Sequence, residues 1–279
     1  MKLSIITINY NNREGLEKTI NSIIAQTWKD YEWIIIDGGS TDGSKELIEQ
    51  YEPYFTYWCS EPDNGPYNAM NKGILHANGE YLNFMNSGDT FFHSKTLEEV
   101  YNYTFNEDIV YGDWIRIEKE GEVLKRAPNR LSLDFLYSDN ICHQAIFSKT
   151  SIMKTYGFDE AFKVYADWNL WIKMILGDCS SRYMPLTICR FDAKCGLSNR
   201  DFEYLELEKK KVSNTIPSSI REVIISKQQL SERLERYEKH FAVRDTYSLS
   251  NESRLYSKLI RINLEIIKSI KRVATILNK

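Results

Sequence analysis

The chain has 279 residues, 42% of them hydrophobic, enough for one large globular domain or a domain with an appendage. With 36 basic against 39 acidic residues its formal charge is -3, so no global basic field marks it as a nucleic-acid binder. Its five cysteines are odd in number and form no C-x-x-C pair, which argues against a disulfide framework and a zinc knuckle.

The opening MKLSIITINYNN holds an apolar, β-branched run bounded by asparagines, and reads as a buried strand ending in a polar loop. That run is too short for the apolar region and cleavage site of a signal peptide. No stretch approaches the ~20 apolar residues of a membrane-spanning helix, so the expectation is a cytoplasmic protein, soluble or peripheral on a membrane. Leu16, Ile20, Ile23 and Ile24 recur at helical spacing, and WIIIDGG predicts a second buried strand. That is a β-α-β unit, the start of a parallel sheet.

The alternation continues with a helix in SKELIEQY, a strand in FTYWCS, a helix in YNAMNKGILHA and a strand in YLNFM. HSKTLEEVYNYTF predicts another helix, and DIVYGDWIRIEKEGEVLKRA a strand and hairpin turning near Glu120 and Gly121. SKTSIMKTYG, stopped by Gly157, and DWNLWIKMIL predict two more helices, and TICRF a late strand. These elements define an expected domain over residues 1–215. Residues 216–279 read as a helical extension in which Leu255, Leu259, Ile262 and Ile266 recur at three- and four-residue steps.

Ligands of open α/β sheets bind beyond the carboxyl ends of strands. Here successive strand ends deliver Asn9 and Tyr10, then Asp37, then Glu61 and Asp63, then Asn86 and Asp89, then Asp113. One shared crevice is therefore expected. Asp37 in IIIDGGSTDG either caps the next helix or accepts two donors from a nucleobase or ribose, with Gly38 and Gly39 leaving space for a ligand. The loop has neither G-x-G-x-x-G spacing nor the G-K-S/T of a P-loop.

Asp89 in FMNSGDTFF follows a strand, where it can hold a hard divalent cation with phosphate oxygens or close a turn on its own backbone. Asp167 precedes the apolar face of Trp168, Leu170, Trp171 and Met174, and reads as an N-cap or as a partly desolvated general base. His143 and Gln144 lie amid apolar neighbours in ICHQAIF, as core or as site residues. With four histidines, no H-E-x-x-H and no G-x-S-x-G, neither a zinc hydrolase nor a serine nucleophile is supported.

In order and spacing, SIITINYNN, SIIAQTWKDYEWIIIDGGSTDGS, SEPDNGPYNAMNKGILHANGEYLNFMNSGD, HQAIF, YGFDEAF and ADWNLW resemble the family 2 inverting glycosyltransferases of the GT-A fold. The resemblance runs from residue 1 to about 200 and is similar to bacterial enzymes of exopolysaccharide, capsule or O-antigen synthesis, of the colanic acid type. It implies an α/β fold with a Rossmann-like, mixed, mainly parallel sheet flanked by helices, and leaves the helical extension outside. It implies a nucleotide cradle of Thr7, Asn9, Tyr10 and Asp37, with Asn71 along the donor. It sets the family's D-x-D region on Asn86 to Asp89, with Asp89 holding Mn²⁺ or Mg²⁺, and makes Asp167 the base. His143, Gln144 and Trp168 fall on the acceptor side, and Ser198 in CGLS on a loop closing over the diphosphate.

Three motifs depart from the family pattern: Gly38, Asn86 with Gly88, and Ala166 stand where acids are usual. The implied activity is transfer of a hexosyl or N-acetylhexosaminyl group from a nucleotide-diphosphate sugar, expected to be a UDP-sugar. Its acceptor would be a saccharide or a polyprenyl-linked saccharide. The alternative is a sugar-nucleotide-binding protein whose thinned acidic motif has lost catalysis. From Asn251 to Lys279, seven basic against two acidic residues form a basic amphipathic pattern. Such a helix lies on anionic lipid, or packs on the body or on a second subunit as in a homodimer.

Overall fold

The computed structural model describes residues 1–194 and 202–248. β1 (Leu3–Asn9) and β2 (Tyr31–Asp37) are almost continuously buried, the pattern of parallel strands covered by helices on both faces. They are joined by α1 (Arg13–Ile24), whose N-cap Asn12 accepts a hydrogen bond from the Gly15 N–H. α2 (Ser44–Gln50) leads to β3 (Tyr57–Ser60), and α3 (Pro66–His76) to β4 (Tyr81–Phe84). β1 pairs in parallel with β2 and β4, and β2 with β3.

The second half of the sheet is mixed. After β5 (Thr90–Phe91) and α4 (Thr96–Tyr101), β6 (Ile109–Glu118) and β7 (Gly121–Lys125) form the expected hairpin. α5 (Leu133–Ser138) and a 3-10 turn at His143–Ala145 precede β8 (Ile146–Lys149), which joins β4 to β6 by antiparallel pairing. α6 (Thr150–Tyr156) ends at Gly157, and α7 (Ala166–Leu176) leads into β9 (Ser181–Asp192). Among the described residues the sheet order is β3-β2-β1-β4-β8-β6-β9-β5, with β7 on β6.

Alternate strand residues feed two cores. Ile6, Ile34, Ile36 and Phe84 face one side with α3 and α7, while Leu3, Ile5, Trp33 and Ile35 face the other with α1. α8 (Phe202–Thr215) and α9 (Ser218–Ser248) follow. The chain divides into two compact units, Met1–Arg221 and Glu222–Lys279. The first reaches beyond the expected residue 215 because Ile216 is fully buried in its core and Ile220 packs against that core.

Candidate active site

The parallel register sets Asn9 beside Asp37 and Asp37 beside Ser60, so three strand ends meet at one carboxylate. Asp37 is fully buried. One of its oxygens accepts from Asn9 Nδ2 (2.7 Å) and Ser40 Oγ (2.6 Å), the other from the Ser40 N–H (2.9 Å) and Ser60 Oγ (2.6 Å). Asp37 thus organises the loop through its own protein. The open face of this loop is formed by Tyr10, which is 67% exposed, and Gly38. A Cβ on Gly38 would come within 2.6 Å of Asp63 Oδ2 and 3.2 Å of the Tyr10 ring, so a side chain there would displace the Asp63 carboxylate.

Thr7 is also fully buried, its hydroxyl taken by Trp33 Nε1 at 3.0 Å inside the core. Asn71 donates to the Phe158 carbonyl (2.9 Å) and Glu160 Oε1 (2.8 Å) and accepts from the Phe158 N–H (2.8 Å). Its amide is a clamp on the loop after α6. Ser198 lies outside the described residues.

The other expected site residues converge. After β4 the chain turns sharply at Asn86 to Asp89, where Gly88 adopts a φ of 104° that disfavours any side chain. Thr19 of α1 fastens this turn, donating to the Asp89 and Asn86 carbonyls at 2.8 and 3.1 Å and accepting from the Gly88 N–H at 3.0 Å. Asn86 Nδ2 lies 2.9 Å from His143 Nε2, and His143 Nδ1 lies 3.2 Å from Asp167 Oδ2. A single chain of contacts therefore runs from the turn to the candidate base. Asp167 is the second residue of α7 rather than its N-cap, and its other oxygen accepts from the Trp168 N–H at 2.7 Å.

Gln144 donates to Asp89 Oδ2, and the Asp192 N–H donates to Oδ1 at 2.9 Å. Asp89 is only 4% exposed. Burial pushes its carboxyl up to about 7, against the hydrogen bonds from Asp192 and Gln144. Asn83 Nδ2 bonds the carbonyls of Gln144 and Ile146 at 2.9 and 2.8 Å, fixing the turn that carries His143 and Gln144. Trp168 is largely buried, its indole N–H bonded to the Leu136 carbonyl at 2.7 Å. It lines a cavity of about 750 Å³ between α5 and α8, together with Tyr137, Leu207 and Lys210.

Among the described residues no three His, Cys, Asp or Glu side chains form a metal cage. Mg²⁺-type ions, however, are commonly held by one or two protein oxygens plus phosphate oxygens and water. Asp89 with the buried Asn86 Oδ1, which has no hydrogen-bond partner, fits that smaller requirement. A cation there would also supply the counter-charge that a buried carboxylate lacks.

Thr19, Asn83 and Glu208 are absent from the sequence reading, because a lone Thr or Asn inside an apolar run carries no spacing signal. Glu208 of α8 accepts from the N–H groups of Lys163 (2.6 Å), Val164 (3.0 Å) and Tyr165 (3.0 Å), just before the helix that bears Asp167.

Known proteins similar to this chain are glycosyltransferases. The chain is 32% identical over 219 residues to a PGL/p-HBAD biosynthesis glycosyltransferase of Mycobacterium bovis, spanning 73% of this chain and 82% of that protein. Its fold is similar to that of Staphylococcus aureus TarS in complex with UDP-GlcNAc, with a TM-score of 0.62, 17% identity, and coverage of 76% of this chain and 70% of that one. It is also similar to a Pyrobaculum calidifontis mannosyltransferase in complex with GDP-Man and Mn²⁺, with a TM-score of 0.53, 14% identity, and coverage of 98% and 87%. The sheet and its surrounding helices are those of the GT-A fold. The family model for Glycosyl transferase family 2 matches residues 4–165, and the chain belongs to that family of glycosyltransferases.

Proposed function

We propose that the protein is an inverting glycosyltransferase that moves a hexosyl or N-acetylhexosaminyl group from a UDP-sugar to a saccharide or lipid-linked saccharide. The observation that carries this reading is the contact chain from Asn86 through His143 to Asp167, with Asp89 held by the adjacent Gln144. It joins a corner suited to a diphosphate to a carboxylate suited to an acceptor hydroxyl.

Inverting transfer needs the acceptor hydroxyl deprotonated as it attacks the anomeric carbon while charge grows on the leaving diphosphate. Asp167 Oδ2 takes that proton, and His143, 3.2 Å away, orients the carboxylate. Asn86 fixes the far edge of the imidazole, so that base and donor keep one geometry. Asp89 and Asn86 would hold a divalent cation, which would supply positive charge for the leaving diphosphate. Tyr10 offers its exposed ring to the nucleobase beside Gly38. The cavity beside Trp168, with its aromatic and lysine lining, suits a saccharide acceptor.

A thermal-shift series with UDP-sugars and GDP-mannose, with Mn²⁺ and with chelator, tests the donor and cation together. UDP-sugars with Mn²⁺ should raise the melting temperature, and chelator should abolish the rise. Equal shifts with chelator would refute the cation, and no shift with any nucleotide sugar would refute the donor class.

A further inference from the structure

We infer that Glu208 is a positioning residue for sugar transfer, a buried carboxylate from outside the family-matched segment that fixes the backbone on which Asp167 stands. This rests on the proposed role of Asp167 as base. Tyr165, the N-cap of α7, makes no side-chain cap hydrogen bond, and the Asp167 carboxylate of the first turn meets the Trp168 N–H, not those of Lys163 to Tyr165. Glu208 meets these from α8. Its fully buried carboxylate takes the consecutive N–H groups of Lys163, Val164 and Tyr165 at 2.6 to 3.0 Å, and the Tyr204 hydroxyl at 2.6 Å.

Burial opposes ionisation of Glu208, yet the Tyr204 hydroxyl and these three N–H groups hold it below the usual range of a glutamate. A negative charge at the start of a helix is further favoured by the helix dipole. From the opposite side, Tyr67 of α3 donates its hydroxyl to the Val164 carbonyl. Burial and the charge of Asp167 push the Tyr67 phenol well above its ordinary value, while the N–H groups of Asp167 and Ala166 work against that rise. The backbone from Lys163 to Asp167 is therefore held between two buried side chains from two different helices. Asp167 Oδ2 meets His143 only if this segment stays in place.

A second link between the same helices provides the control. Thr215 Oγ1 donates to Asn169 Oδ1 at 2.7 Å, tying α8 to α7 without touching the segment before Asp167. If Glu208 were merely cohesive, the two links would behave alike.

The test compares the full chain, Glu208→Gln and Thr215→Val by amide hydrogen exchange and by UDP release from UDP-N-acetylglucosamine and UDP-glucose. Glu208→Gln should speed exchange over residues 163–168 and lower kcat by about 10-fold or more, with KM for the nucleotide sugar held within about twofold. Thr215→Val should leave both exchange over 163–168 and kcat unchanged. Tyr204→Phe, which removes one donor from the same carboxylate, should shift both readouts in the same direction by less, and serves if Glu208→Gln fails to fold. Unaltered exchange in the Glu208 variant, or a kcat no lower than that of Thr215→Val, would overturn the inference. A wild-type protein that releases no UDP would defeat the proposed function instead, and the exchange comparison would still decide whether Glu208 is the clamp.

Discussion

At Asp37 four donors meet two buried oxygens, whereas at Tyr10, one strand end away, an aromatic ring stands in solvent. These two residues should respond to substitution in opposite ways. Asp37→Ala leaves Asn9, Ser40 and Ser60 with unpaired buried groups and should cost about 3 kcal/mol of stability in urea unfolding. Tyr10→Ala should change stability by less than about 0.5 kcal/mol, yet weaken UDP binding in calorimetry by roughly tenfold. Equal stability losses would contradict the division of labour at this loop. The sequence made Asp37, Asn86, Asp89 and Asp167 legible as acids or amides at strand and helix ends. It could not reveal which of their oxygens are already taken, because Ser60 and Gln144 arrive from strands and turns far along the chain.

Legibility at the level of elements followed length and period. α1, α3 and α7, with clear helical spacing, and β1 and β2, with continuous apolar runs, stand where the pattern set them. β5, β8 and α5 went unseen, since two to six residues are too few to show a period. α8 was taken only as the end of the domain, although it carries the carboxylate that meets the α7 entrance. Its contribution has a pH signature. A carboxyl whose folded pKa lies below its unfolded value stabilises fully above the unfolded value, about 4.3 for glutamate, and loses that contribution as pH falls through the folded one. Glu208→Gln should therefore lower the melting temperature at pH 7, and the gap to wild type should close as pH falls below about 4. A gap that stays constant down to pH 3 would show that the charge of Glu208 contributes nothing.

For the molecule as a whole, one sheet gathers its chemistry along the carboxyl ends of its parallel strands. The first strands bring the loop of Tyr10, Gly38 and Asp63, the turn after β4 brings Asn86 and Asp89, and α7 brings Asp167. No helix among the described residues is long and apolar enough to cross a membrane. The basic pattern from Asn251 to Lys279 lies outside the described residues, and contact of that stretch with anionic lipid stands as a proposal. The family accounts for sugar transfer, and the contact chain through His143 joins the turn at Asn86, the proposed diphosphate corner, to Asp167, the proposed base. The most direct test is sugar transfer by Asp167→Asn measured beside its affinity for UDP with Mn²⁺. Turnover should fall by about 100-fold or more while UDP affinity stays within a few-fold of wild type. Undiminished turnover would contradict Asp167 as the base and, with it, the account of how this site works.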